Sequence, residues 1–198
     1  MGAGVSWWRA ILWLLLAIPA GQMIARFASG EALAMHMYHP SGETSIRLMV
    51  IALMAGPVAD IFGRNRFTRS WLANRRNLGV AAFAYAVLHL AFYFIDMGTI
   101  AAMLDELSLP AIWTGWLSFA AMLAAASIST DASLRRLGRW WKRVQTAVYG
   151  AVLLAAVHWA LLDRDLGAAL IHLAPLLLLW PLRAAILYSK RTTRGLST

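Results

Sequence analysis

Two stretches decide how this chain folds. They are Ala81-Ala82-Phe83-Ala84-Tyr85-Ala86-Val87-Leu88-His89-Leu90 and Val148-Tyr149-Gly150-Ala151-Val152-Leu153-Leu154-Ala155-Ala156-Val157-His158-Trp159. Each is a long apolar run with one histidine set deep inside it. An ionisable side chain in a membrane span is costly, so its presence points to function.

The rest of the chain agrees with a membrane setting. Of its 198 residues 61% are hydrophobic, against about 45–50% in a soluble domain. The excess lies in runs of roughly 18–22 residues, long enough to cross a hydrocarbon core of about 30 Å. Six spans are read, at about 8–28, 45–62, 78–95, 108–128, 143–162 and 167–188. The expected fold is therefore an all-α integral membrane bundle, with residues 1–198 forming one domain. Little is left for a soluble domain, so any nucleotide chemistry must come from a separate protein. No internal repeat stands out. There is no cysteine, which excludes disulfides, iron–sulfur clusters and covalently attached c-type haem.

The net charge of +9 encodes topology rather than nucleic-acid binding. Arg9, then Arg64, Arg66, Arg69, Arg75 and Arg76, then Arg135, Arg136, Arg139, Lys142 and Arg143, and finally Arg183, Lys190, Arg191 and Arg194 fall on one side of the membrane. The other side carries Glu31, Glu43, Asp96, Asp105, Glu106, Asp163 and Asp165, with only Arg26, Arg47 and Arg164 as cations. Fifteen of the eighteen basic residues share a side, and the positive-inside rule places both termini in the cytoplasm. A multi-pass protein of a bacterial inner membrane is expected, with the lipid bilayer as its first partner.

In this topology His89 lies roughly 17 Å and His158 roughly 22 Å from the inner ends of spans three and five, at 1.5 Å per residue. Both are in the outer half at similar depth. Two neutral imidazoles facing each other in a helical bundle are the axial pair that a b-type haem iron needs. Ala82, Tyr85 and Ala86 share a face with His89, and Ala147, Ala151, Leu154 and Ala155 share one with His158, by helical spacing. Small residues there leave room for a flat macrocycle; they would equally allow close helix packing without a cofactor. Either histidine alone could simply bond a carbonyl. His172, early in span six, reads as an interfacial residue or as a contact to a haem edge or substrate.

Further residues match a family pattern. These are Ser41-Gly42-Glu43 with Arg47-Leu48, Arg75-Arg76 with Leu78-Gly79, the run Tyr85 to Leu90, and Leu137-Gly138-Arg139-Trp140-Trp141-Lys142-Arg143-Val144 followed by Tyr149 and His158. Over about residues 40–160 the chain resembles the MsrQ (YedZ) family, the haem-binding membrane subunits of the periplasmic methionine sulfoxide reductase system. That family lies within the wider ferric-reductase-like transmembrane group, with the NADPH oxidases and STEAP reductases. The most specific mark is the pattern Leu-Gly-x-x-Trp-x-x-Leu-His-x-x-x-Tyr. Here Gln145 stands where that pattern has its histidine.

The resemblance implies two span-five ligand positions about 13 residues apart, each serving a different haem. Of Gln145 and His158 only the second is a good iron ligand. The matching inner position on span three is near Arg75, which has no lone pair to offer iron. One haem b is therefore expected, held by His89 and His158. An inner carrier, FMN, FAD or a quinone, would bridge the remaining half of the membrane. Arg75, Arg76, Arg139, Lys142 and Arg143 form a basic collar that could hold a flavin phosphate or simply bind anionic lipid. Trp140, Trp141 and Gln145 sit at the same level.

On the outer side, Met35-His36-Met37-Tyr38-His39-Pro40 offers imidazole and thioether groups that suit copper. His36 and His39 could instead bond a haem propionate, or the loop could contact a partner. The first functional reading is an electron-transfer subunit of an oxidoreductase system. It would take electrons from a cytosolic flavin reductase or a quinol and pass them to a periplasmic acceptor, by resemblance a molybdopterin methionine sulfoxide reductase. A second reading is direct reduction of ferric or cupric ions at the outer face. A third is a small helical membrane protein with no redox role, which would leave both histidines unexplained.

Overall fold

In the computed structural model, residues 7–164 and 166–195 are described; Asp165 lies outside them, as do the side chains of Arg191 and Arg194. Eight α-helices follow in order: α1 (Trp7–Ala28), α2 (Tyr38–Phe62), α3 (Arg66–Met97), α4 (Ile100–Glu106), α5 (Pro110–Ser127), α6 (Asp131–Leu137), α7 (Arg139–Asp163) and α8 (Leu166–Gly195). A 3₁₀ turn, Ala34–Met37, leads into α2. No strand occurs among the described residues, and the all-α membrane fold read from the sequence is the fold found. Five helical stretches are long and apolar enough to span a bilayer. α4 and α5, which meet at 107°, supply a sixth when taken together.

The boundaries differ from those expected in an instructive way. The apolar run near 78–95 is the upper part of a 32-residue helix. Its first three turns carry Arg66, Arg69, Arg75 and Arg76, so the basic connection is largely helical. Hydropathy finds only the part of a helix that lies in hydrocarbon. The start is set instead by Asn65, whose side chain accepts the Thr68 N–H at 2.9 Å and satisfies one of the first-turn donors that lack helical partners. Likewise α2 begins at Tyr38, not near residue 45, and α6 was not foreseen. Thr130 caps α6 by accepting from the Ser133 N–H at 3.0 Å. Gly138, at φ +49°, then turns the chain into α7 with a backbone angle that L-residues rarely adopt.

Two helix pairs form the heart of the bundle, α2 with α3 and α5 with α7. Each is fastened by a buried serine. Ser45 Oγ donates to the Ala82 carbonyl and Ser118 Oγ to the Ala151 carbonyl, both at 2.8 Å. Where hydrocarbon offers no water, such interhelical bonds and small-residue contacts hold helices together. Ile46, Met49, Val50, Ala82, Met122, Ala151, Val152 and Ala156 pack between the pairs, and Leu173 and Leu176 of α8 close one flank. α1 is peripheral, with no buried residue. It is tied to the bundle by Tyr85, whose hydroxyl donates to the Leu16 carbonyl at 2.7 Å and accepts from the Ala20 N–H at 3.0 Å. These two groups flank Pro19, and a side chain inserted at such a point is a recognised cause of helix bending.

The two pairs are also related to each other, which corrects the expectation of no internal repeat. Ser41-Gly42-x-x-Ser45-x-x-x-Met49 on α2 matches Thr114-Gly115-x-x-Ser118-x-x-x-Met122 on α5. Ala82 precedes His89 on α3 by the same seven residues that separate Ala151 from His158 on α7. Few side chains are shared, and the connections between the paired helices differ in length. The repeat is faint in the sequence and becomes plain once the same bonds appear in both pairs.

Candidate cofactor site

The repeat positions two histidines in the same manner. His89 Nδ1 lies 3.0 Å from the Tyr38 carbonyl at the start of α2, with Ser41 Oγ at 3.5 Å. His158 Nδ1 lies 2.7 Å from the Ala111 carbonyl at the start of α5. In each ring the Nδ1–H donates to the backbone, which leaves the lone pair on Nε2, the arrangement typical of a metal-ligating histidine. Four residues after each carbonyl comes a glycine against the ring. A Cβ at Gly42 would stand 3.2 Å from His89 Nδ1, and one at Gly115 only 2.7 Å from His158 Cε1 and Nδ1.

The two imidazole centroids are 6.2 Å apart with ring planes at 87°. With metal–nitrogen bonds of about 2.0 Å and each nitrogen about 1.2 Å from its ring centre, one metal atom between two imidazoles sets the centroids roughly 6 Å apart. The spacing therefore fits a shared iron. Around the rings is a cavity of about 480 Å³ whose walls include Ile46, Ala86, Phe119, Met122 and Ala155. This is within the range of about 300–1,000 Å³ usual for cofactor and ligand sites. A b-type haem, bound without covalent attachment, suits this donor set and these apolar walls.

The rim of this cavity is polar. Tyr93 donates to Glu106 at 2.9 Å, and Tyr38 donates to Asp96; the first bond ties α3 to α4. Across the mouth, Arg47 pairs with Glu43, and Arg47 Nε donates to His172 Nε2 at 3.0 Å. His172 Nδ1 is engaged with the Ala168 carbonyl, and its ring lies 4.8 Å from that of Trp159. His172 is thus a member of a polar cluster beside the cavity, not of its lining.

His36 and His39 serve different partners. His36 Nδ1 accepts the Leu33 N–H at 3.3 Å and helps cap the 3₁₀ turn. His39 lines the cavity between Glu43, 3.9 Å from its Nε2, and Asp163, 3.6 Å from its Nδ1. These carboxylates meet opposite ring nitrogens, so they do not converge on one point. No group of three His, Cys, Asp or Glu among the described residues is placed to hold a metal ion.

A second cavity, of about 310 Å³, lies toward the arginine-rich end. Met49 and Met122 line both cavities. The structure brings Arg75, Arg76, Trp141 and Gln145 together on its wall. Gln145 Nε2 donates to the Ala125 carbonyl at 3.0 Å and to Ser129 Oγ at 3.2 Å. Arg76 pairs with Asp131 at 2.7 Å. That hydrogen bond, reinforced by the guanidinium charge, holds the Asp131 carboxyl below its ordinary range. Arg139, Lys142 and Arg143 are not on the wall. Arg143 instead lies over the Trp140 ring, 4.4 Å from its centroid, a cation–π contact at the surface.

Sequence reasoning found the histidines but missed what holds them: the Tyr38 and Ala111 carbonyls and the two glycines. The signal was present, because a hydroxyl-glycine-x-x-serine run occurs twice.

Comparisons with known proteins show the family to which the chain belongs. A family model described as ferric reductase like transmembrane component matches residues 41–156. A relative from Brucella anthropi, named protein-methionine-sulfoxide reductase heme-binding subunit MsrQ, is 32% identical, with 86% of this chain and 81% of the relative covered. The protein of the same name from Brucella ovis is 31% identical, over 77% of this chain and 70% of its own. No solved structure matches the chain. This chain belongs to the ferric-reductase-like transmembrane family, among the MsrQ haem-binding subunits.

Proposed function

We propose that this protein carries electrons across a bacterial inner membrane through one haem b whose iron is gripped by His89 and His158. The observation that carries the reading is the imidazole pair itself: centroids 6.2 Å apart, each Nδ1 anchored to a carbonyl, each Nε2 left to ligate. A bound haem supplies one-electron ferric–ferrous chemistry at this point; the protein's own part is to position, bury and insulate it. Ala86 and Ala155 leave space at the walls, and Met49 and Met122 form the floor. His39, at the start of α2 on the cavity wall, would be the histidine to meet a propionate, with His172 beyond it across Glu43.

With both termini in the cytoplasm, the second cavity faces the donor. Arg75, Arg76 and Gln145 line a slot that suits a flavin ring or a quinone headgroup, with a guanidinium for a phosphate or a reduced oxygen. The donor is then a cytosolic flavin reductase or a quinol. The acceptor is a periplasmic methionine sulfoxide reductase, by the names of the relatives. Arg139, Lys142 and Arg143 add a basic surface around the donor side.

The test is a reduced-minus-oxidised absorption spectrum of the full-length protein, with haem counted per chain as the pyridine haemochrome. One low-spin b-type haem per chain is expected. Two would mean a ligand besides His89 and His158, and none after expression with ample haem would overturn the reading.

A further inference from the structure

We infer that Gly42 and Gly115, acting with the Tyr38 and Ala111 carbonyls, are positioning residues that lock the two axial imidazoles with their planes crossed. The inference rests on the haem reading above and concerns only how this chain sets its ligands.

A histidine has two torsions by which its ring can turn, and each is stopped from two sides here. The carbonyl bonds, 3.0 Å to His89 and 2.7 Å to His158, fix where each Nδ1 points. The glycines fix the ring's face. Around His158 the fit is tightest, since a methyl at Gly115 would stand 2.7 Å from two ring atoms, closer than any packed carbon can approach. Around His89 the fit is looser, at 3.2 Å from Gly42. The same carbonyl–glycine pair, four residues apart on helices α2 and α5, stops each ring independently. The resulting planes stand at 87°.

Crossed planes have an electronic consequence. Each imidazole donates π density into the iron d orbital perpendicular to its ring. Parallel rings raise the same orbital and split the pair, whereas crossed rings raise both equally. Near-degenerate orbitals leave orbital angular momentum unquenched, and a low-spin ferric ion then gives a strongly anisotropic resonance with one large g value. Ligands stopped on both sides also keep their place in both oxidation states, which is the preorganisation an electron carrier needs.

The experiment is frozen-solution electron paramagnetic resonance of the ferric, full-length protein, three glycine variants and the two single histidine variants, read beside haem content. The natural protein should give the highly anisotropic low-spin signal. Gly115→Ala should shift it to a rhombic or high-spin form, and Gly42→Ala should shift it less. Gly150→Ala lies on the same helix as His158, but a Cβ there meets nothing within 4 Å, so its signal should match the natural one. A rhombic signal in the natural protein, or an unchanged one in both Gly115→Ala and Gly42→Ala, would overturn the lock. If Gly115→Ala fails to fold, Gly42→Ala alone decides. A low-spin signal that survives His89→Ala and His158→Ala would instead defeat the haem reading.

Discussion

The same four helices, α2, α3, α5 and α7, line two cavities at two depths, and the two differ in chemistry more than in shape. At the acidic end α3 and α7 present His89 and His158. Thirteen residues earlier, roughly 20 Å at 1.5 Å per residue, they present Arg76 and Gln145. An imidazole gives a lone pair to iron readily; a guanidinium cannot, and the Gln145 amide is held by the Ala125 carbonyl of α5 and by Ser129 just beyond that helix. The scaffold thus offers two comparable levels, and the proposed single haem follows from the side chains that each level carries. The basic level keeps a cavity of about 310 Å³ against about 480 Å³ at the other.

The sharpest way to break this comparison is at the histidines. His89→Ala or His158→Ala should each remove essentially all bound haem, because no covalent link remains to retain it. A normal low-spin haem in both single variants would undo the ligand assignment. At the other level, Arg75→Ala and Gln145→Leu should leave haem content at one per chain and slow reduction from the donor side several-fold. Stopped-flow reduction by a soluble quinol or reduced flavin would measure this. Equal rates in both variants and the natural protein would mean that the slot carries no electron. Gln145→His by itself should not add a second haem, since Arg75 and Arg76 still occupy the opposing wall; a haem count of two would show the levels to be more alike than proposed.

The fold was legible because hydrocarbon demands long apolar runs, and six of them appear in order. The histidines were legible because an imidazole in such a run is expensive. What stayed hidden was set by contacts rather than composition. The Tyr38 and Ala111 carbonyls are backbone atoms that any residue would supply. Gly42 and Gly115 read as ordinary small residues until their distance to a ring is known. His36 and His39 looked alike in the sequence, yet one caps a turn and the other faces the cavity, because His36 lies within the 3₁₀ turn and His39 on the first turn of α2. The basic collar split for the same reason: Arg75 and Arg76 follow α3 to the cavity wall, while Arg143 is drawn over Trp140.

The repeat invites a smaller test. Ser45→Ala and Ser118→Ala each remove one buried interhelical bond of equal length, 2.8 Å. Each should cost about 0.6 kcal/mol, and at most about 1.7 kcal/mol, of stability in the membrane. Reversible unfolding in mixed micelles would measure both. Similar losses would support equivalent halves, and a loss at only one serine would show that a single pair carries the bundle.

The smallest effect belongs to the clasp at the rim of the basic cavity, where Arg76 on α3 holds Asp131 on α6. Because the guanidinium lowers the carboxyl pKa in the folded protein, the pair contributes stability above the unfolded value of about 3.9. That contribution is lost as pH falls through the depressed folded value. Asp131 is fully exposed to water, so the contribution is small and shrinks further with salt. On acidification from pH 7 to below 4, the natural protein should therefore lose slightly more thermal stability than Asp131→Asn, and the gap should close in high salt. An equal loss in the two proteins would mean that α6 is held by its Thr130 cap and its packing on α7 alone, and that Arg76 is free to serve the cavity at every pH.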